Sequence, residues 1–474
     1  MVLRTNLFVL LASAAPAPQT GDGVPLQEKL EQIERENQEL KRRVERLERA
    51  GEASLEQDLA GLGAPGTGAP RPPDGGDGSP TQLSAAGLKL AESGLSQAFG
   101  GIYTKPFLTS AHGVALGGYV DLEYRDPQDG DRDLRFHRLI PFIYAQPSEH
   151  VQFATEIEIG DGHELEVEFA VIDLRVDELF NLRAGVILTP LGKFNLIHDS
   201  PVNELTDRPL VDTTVIPSTL REAGFGAFGT LADADSSIGQ LTYELYLTTG
   251  FKGLLDDGTV TFDTTSGLKN GRPSNEVGSE RSFEDIDNSF AGVGRLAWSP
   301  LLGSEFGLSA HRGAYDESGD NDLTIVALDG TVDGRALAQM LRADGRCARV
   351  LGSLELLGEW AHAEIDRDAF ARASGVPGNM QGWYAQLNCR IYPDFLARLV
   401  DRGTFDAGSR FTFVLRRDEI DLDGFEQERW SFGVNFRPNR HQTVIKLDYQ
   451  INTESGKTGA VSNDAVVASI ATYF

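Results

Sequence analysis

From about Val114 to the last residue, apolar and polar side chains alternate one for one in segment after segment. A period of two is strand geometry, because successive side chains leave a pleated backbone on opposite faces. Gln152, Ala154, Glu156 and Glu158 fall on one face, and Val151, Phe153, Ile157 and Ile159 on the other. Further on, Tyr384, Gln386, Asn388 and Arg390 alternate with Trp383, Ala385, Leu387 and Ile391. Val444, Lys446, Asp448 and Gln450 alternate with Ile445, Leu447, Tyr449 and Ile451. One segment, 136–144, is apolar on both faces. Sixteen such strands can be followed through the chain. No run approaches the roughly 20 apolar residues of a membrane helix, a test that barrel strands escape by spending only every second residue on lipid.

The final stretch, AVVASIATYF at 465–474, is a bare uncharged strand with an aromatic last residue. Chain ends usually fray, whereas a closed barrel must pair its last strand with its first to abolish both edges. The expected fold is therefore all-β, an antiparallel transmembrane β-barrel of sixteen strands. Alternation alone does not separate such a barrel from a soluble sandwich, since both have one wet face. Connection lengths do. With the start of the first strand on the periplasmic side, turns on that side are short, at 147–149, 300–303 and 438–440. Those on the other side are long, at 190–221, 250–287 and 316–333. Only 393–408 breaks the short/long sorting that bacterial outer-membrane barrels show.

Ahead of the strands the character differs. Arg4, the apolar run from Leu7 to Ala12 and the small residues through Ala17 predict a secretory signal over 1–17. A heptad segment follows within 24–51. Leu26, Ile33, Leu40 and Leu47 recur every seven residues with Leu30, Asn37 and Val44 between them, the a/d spacing of a coiled coil. In a parallel pairing Lys29 meets Glu34, Glu36 meets Lys41 and Arg43 meets Glu48, all opposite in sign. This predicts parallel self-association of a periplasmic coiled coil. Leu30 with Ile33 favours more than two strands and a buried Asn37 favours two, so oligomer number stays open. The stretch 52–99 reads as a flexible linker, with Gly-Ala-Pro repeats and too little apolar surface to fold. The barrel domain is expected over 100–474.

A formal net charge of −28 argues against nucleic acid as a partner. Two cysteines, Cys347 and Cys389, exclude a disulfide-rich scaffold, though they would face each other near the ends of adjacent strands and could pair. Asp129, Asp131 and Asp133 alternate as calcium loops do, but the Gly and closing Glu of such loops are missing. The histidines share no metal-ligand spacing, and no GxSxG elbow or phosphate loop occurs. No cofactor, metal or enzymatic reaction is expected.

Signal, coiled coil, the opening GGYVDLEY at 117–124 and the terminal Phe474 together resemble the phosphate-selective porin O/P family in layout. That resemblance implies a trimeric porin in the bacterial outer membrane, embedded in its lipid, whose third loop folds into the lumen. The long connection 190–221 follows the fifth strand, where that loop belongs, and carries Lys193, Asp199, Glu204, Asp207, Arg208, Asp212 and Arg221 as the expected constriction. The faces assigned to the lumen carry Arg183, Arg295, Arg390, Arg410, Arg416, Arg437 and Lys446. Against these stand Asp121, Glu123, Glu156, Glu158, Glu166, Glu168, Glu244, Glu355, Glu359 and Asp448. Anion channels need inward rings of Arg and Lys, which this mixture does not provide. The expected function is passive passage of small hydrophilic solutes or ions. A phosphate or oxyanion channel and a structural tether are the rivals.

Overall fold

The computed structural model describes residues 108–109, 114–148, 150–162, 164–253, 265–271, 283, 289–316, 320–343, 345–393, 395–396, 408–438, 443–456 and 463–474. The signal, the heptad helix and the linker expected from the sequence lie outside the described residues. Within them, sixteen antiparallel strands form one closed ring. In chain order these are β1 (Val114–Pro127), β2 (Asp133–Ser148), β3 (Val151–Gly160) and β4 (Glu164–Arg175). Next come β5 (Asn181–Leu188), β6 (Arg221–Ala232), β7 (Gln240–Thr248) and β8 (Ala291–Ser299). Then follow β9 (Ser304–Ala314), β10 (Asp322–Asp333), β11 (Leu354–Asp366) and β12 (Asn379–Ile391). The ring ends with β13 (Arg410–Leu422), β14 (Phe425–Arg437), β15 (Thr443–Gly456) and β16 (Ala465–Tyr473).

Closure is made by β16 on β1, in register from Ala465 opposite Pro127 to Tyr473 opposite Tyr119. Phe474 extends the ladder by one more pair. Its N–H donates to the Gly118 carbonyl at 2.9 Å, and the Gly118 N–H donates to its carbonyl at 3.2 Å. The Phe474 ring lies over Gly118, where a Cβ would come within 2.4 Å of Phe474 Cζ and 2.7 Å of the Ile140 carbonyl oxygen. Glycine is needed there for the close approach of ring and backbone.

The alternation read from the sequence sorts cleanly in space. Phe432, Val434, Ile445, Leu447, Tyr449, Val466 and Ile470 point out of the ring and are exposed. Asp121, Glu156, Arg183, Arg295, Asn435 and Lys446 point in and are buried. An exposed apolar surface running round a closed ring is a lipid-facing band. All four tryptophans of the chain, Trp298, Trp360, Trp383 and Trp430, lie on it. Trp298 packs against Phe306 at 6.0 Å, Trp360 opposes Trp383 in register, and the Arg417 guanidinium stacks over Trp430 at 5.1 Å. Such amphipathic rings suit the membrane–water boundary. No described helix is long and apolar enough to cross a membrane.

Three expectations are corrected. The stretch 316–333 is no long loop, because β10 fills Asp322–Asp333. Leu323, Ile325 and Ala327 make its inner face apolar, which hides the polar alternation of a lumen-facing strand. The short/long sorting also fails at one place more than expected. Helices α1 (Gly334–Met340) and α2 (Gly345–Leu351) lie between β10 and β11, at the end of the ring that carries the turns. Cys347 is on α2 and not on a strand beside Cys389, and both are free thiols.

Replacing Gly118 with valine should impair ring closure, since the Ile140 carbonyl is fixed in the ladder and the Phe474 ring would have to turn away from the seam. The expected outcome is a lower yield of the detergent-resistant form that migrates differently before and after boiling. Unchanged yield would show that closure tolerates a side chain at this point.

Candidate pore constriction

The connection from β5 to β6 turns inward and occupies the interior of the ring. Its composition explains why. Leu191, Leu210, Val211, Val215, Ile216 and Leu220 are 0–4% exposed and form one apolar cluster with Leu323, Ile325, Ala361, Ala363 and Tyr384 of the wall. A one-turn helix, Val211–Thr214, carries part of this face. Burying each such side chain contributes about 1.5–3 kcal/mol, which a flap standing in water would forfeit. The loop is thus packed against the wall of β10 to β13 and not merely folded over the opening.

The loop backbone is held by side chains of that wall and its neighbours. The N–H groups of Lys193 and Phe194 donate to Glu359 Oε2 at 2.9 and 3.1 Å. Those of Thr206 and Leu210 donate to Asp448 Oδ2 at 2.7 Å and Asp418 Oδ1 at 3.1 Å. Wall cations serve the carbonyls. Lys446 Nζ donates to Ser200 at 2.8 Å and Leu205 at 3.2 Å. Arg416 donates to Asp207 and Arg208 at 3.1 and 3.2 Å, and Arg437 to Pro201 at 2.7 Å. Gly192, at φ +69°, fits beneath Glu359; an added Cβ would lie 1.8 Å from its Oε1. Hydrogen bonds to charged groups contribute roughly 1.5–3 kcal/mol each, so the set fixes the loop firmly.

This relocates several residues expected on an open pore wall. Lys446 and Asp448 are buried beneath the loop and hold its backbone. Arg295 is buried between Asp329 and Glu305, at 2.9 and 3.3 Å. Arg183 makes a two-pronged pair with Asp173 at 2.7 and 2.9 Å and lies 3.7 Å from Glu244, both beside Tyr246. Glu156 is wholly buried. Glu158 and Arg390 keep 20% and 24% of their side chains exposed and line what stays open to water.

The loop charges expected at the constriction are all inside the ring, and all but Asp212 are matched locally by an opposite charge or a hydroxyl group. Lys193 lies 3.4 Å from Glu305. Asp199 accepts from the Tyr473 hydroxyl at 2.7 Å. Glu204 meets Asn435 at 2.8 Å and Arg437 at 3.1 Å. Asp207 meets Arg125, Gln450 at 2.8 Å and Arg429 at 3.6 Å. Arg221 pairs with Glu166, and Arg208 reaches Thr219 at 3.4 Å. Burial opposes ionisation of Glu204, but Arg437, Arg390 and Arg410 outweigh it and hold the carboxyl at about 2. The same contest, decided by Arg125 and Arg429, holds Asp207 well below the usual carboxylate range. Asp212 goes the other way. Burial pushes it well up, and the neighbouring Glu359 carboxyl adds to the shift by its charge and by a hydrogen bond between the two.

Sequence reasoning missed Asp173, Glu222, Glu305, Asp329 and Asp418 on the inner wall, together with Arg138, His198 and His311. His198 lies 3.0 Å from Glu168, and His311 lies 3.0 Å from Glu222. Strand parity carries the missed signal: Asp173 shares its face with Val171, and Asp418 with Arg416.

A closed sixteen-stranded ring with an apolar outer band, a polar interior and a loop folded into it is a porin-like membrane β-barrel. No protein-family model matches the chain. The chain is similar to an uncharacterised protein of Aquifex aeolicus (strain VF5), 28% identical over 351 residues that cover 71% of this chain and 75% of that one. Among solved structures it is similar to Salmonella typhi OmpF in complex with daunomycin, at 11% identity and a TM-score of 0.48 over 77% of this chain and 99% of that one. It is also similar to an anion-selective porin from Comamonas acidovorans, at 12% identity and a TM-score of 0.44 over 76% and 99%. These are general likenesses of shape; the architecture rests on the strand register given above.

The raised Asp212 sets a pH dependence. A carboxyl favoured in its neutral form by the folded loop stabilises that loop fully below its ordinary value of 3.8 and loses the effect as pH rises through its raised value. Glu204 and Asp207 act oppositely, and their contribution disappears only in strong acid. Channel conductance should therefore rise, or become noisier, on the alkaline side in the native protein. In Asp212→Asn, which cannot ionise, the trend should flatten. A parallel rise in both proteins would place the titration elsewhere.

Proposed function

We propose that this protein is an outer-membrane porin that passively admits small hydrophilic solutes and ions past the loop at 190–221, the lipid of that membrane covering its apolar band. The observation that carries this reading is the loop itself. It sits in a polar interior, anchored to β11, β13, β14, β15 and β16, and so divides the lumen instead of capping it. The constriction residues are then Lys193, Asp199, Glu204, Asp207, Arg208, Asp212 and Arg221, with Arg183, Arg295, Arg390, Lys446, Glu156, Glu158, Glu244 and Asp448 as the charged wall around them. The N-terminal heptads support parallel self-association with the coiled coil in the periplasm, and the layout resembles the phosphate-selective porin O/P family, a resemblance that implies a homotrimer.

Selectivity follows from pairing. Arg183, Arg390, Arg416 and Arg437 have carboxylate oxygens at 2.7, 2.5, 2.9 and 3.1 Å, and Arg295 is bracketed by two. A ladder of free cations, which phosphate passage requires, does not arise from cations so neutralised. The net field is set by the excess of acidic groups, giving a weak preference for cations. A second reading has its own observation: Lys446, Arg416 and Arg437 are only 2–4% exposed, and an interior so filled suits a membrane anchor for the coiled coil.

Planar-bilayer recording of the purified protein separates the two. A porin gives discrete conductance steps, and removing residues 195–212 should raise each step severalfold. In a salt gradient the reversal potential should show a mild cation preference. Silence from both native and loop-deleted protein would support the anchor. Strong anion preference would restore the phosphate reading.

A further inference from the structure

β1 and β2 are joined by a ladder that slips by one residue, with Asp121 opposite Arg138 but Leu122 opposite Phe136. His137 is the extra residue of this bulge, a device that re-aims a side chain. It brings His137 to the inner face beside Arg138, facing Asp121 and Glu123 of β1. His137 Nδ1 lies 3.0 Å from Asp121 Oδ2 and 2.8 Å from Glu123 Oε1. A donor atom from each of the three residues lies within 4.8 Å of the other two.

Donors about 3 Å apart occupy neighbouring corners of a polyhedron whose metal–ligand bonds are about 2.0–2.1 Å. A single Nδ1–H can point at only one of two carboxylate oxygens, so the second contact is poorly served by a proton and well served by an ion. Asp121 is 1% exposed, and besides His137 only the Ser200 hydroxyl serves its carboxylate, which leaves buried acceptor capacity in the same cluster. The other Glu123 oxygen is fixed by Arg135 at 2.9 Å, as carboxylate ligands are commonly steadied by an outer partner.

We propose that Asp121, Glu123 and His137 form a binding site for a borderline divalent cation of the Zn²⁺ or Ni²⁺ class, built into the lumen wall at the anchored part of the loop. One imidazole nitrogen with two carboxylates selects against the hard, all-oxygen preference of Mg²⁺ and Ca²⁺. The cations facing the site are Arg135, Arg138 and Lys446, with the Ser200 hydroxyl alongside. Lys446 is committed to the loop carbonyls, and Arg138 to Ser200 Oγ at 3.0 Å with Glu158 and Glu168 at 3.8 and 4.0 Å. Arg135, 43% exposed, can swing clear. An occupied site adds positive charge next to Ser200, whose carbonyl receives Lys446, and so links cation binding to the hold on the loop.

The test uses the untagged full-length protein folded in detergent and titrated calorimetrically with ZnCl₂ and, separately, MgCl₂. One saturable Zn²⁺ site per chain is expected, with Mg²⁺ weaker by roughly tenfold or more, and His137→Gln should weaken Zn²⁺ binding roughly tenfold or more. Absence of saturable Zn²⁺ binding, or identical titrations of native and His137→Gln protein, overturns the proposal. Should that variant fail to fold, Zn²⁺ protection of His137 from diethylpyrocarbonate in the native protein, located by mass spectrometry, decides the matter. Lack of protection counts against the site. Binding is read without any conductance, so this proposal and the porin reading fail separately.

Discussion

A backbone amide or carbonyl taken out of bulk water must find a partner, and this chain meets that demand by two different routes. The ring meets it by closure. Tyr473 opposite Tyr119, extended by the Phe474–Gly118 pair, leaves none of the sixteen described ring strands with an open edge in lipid. The loop between β5 and β6 has no ladder, so charged wall side chains serve its backbone instead. Glu359, Asp418 and Asp448 accept its N–H groups, and Arg416, Arg437 and Lys446 donate to its carbonyls. The polar face of the alternating strands is therefore as much a template for the loop as a lining for water.

That double use explains what could be read in advance. The lipid face is set by one constraint, apolar contact with lipid, and Phe432, Leu447 or Ile470 declare it residue by residue. Closure was legible from the last ten residues for the same reason. The inner face answers to three demands: water, the loop backbone and the loop's apolar side. β10 meets the third with Leu323, Ile325 and Ala327, and by doing so loses the alternation that marks a strand. That the 190–221 connection is long and charged could be read from the sequence, and its inward fold was an expectation from its length and place in the chain. Its partners could not be read, because Lys446 and Ser200, or Arg416 and Asp207, are separated by more than 200 positions along the chain. One clue was available and local: Leu210, Val211, Val215 and Ile216 give this connection the apolar content of a core segment, which a loop in water has no reason to carry.

The pairing of interior charge has a consequence for selectivity that a count of charges obscures. Seven basic and ten acidic residues were assigned to the lumen from the sequence, and such a tally suggests two populations facing each other across water. In the structure most are close neighbours along the wall. Arg183 with Asp173 of the adjacent strand, and Arg295 with Glu305 of the adjacent strand and Asp329 one strand further on, are dipoles whose fields decay over a few ångströms, particularly where salt screens to about 8–10 Å. An ion passing such a wall feels mainly the groups left accessible, Glu158 and Arg390 among them, plus the small acidic excess. Burying a pair gains little stability beyond what desolvation costs, yet removing one partner leaves an uncompensated charge, at about 3–5 kcal/mol. The lumen is thus rigid in its charge arrangement and weak in its net field, a combination that, under the porin function proposed above, would sieve by size before it discriminated by sign.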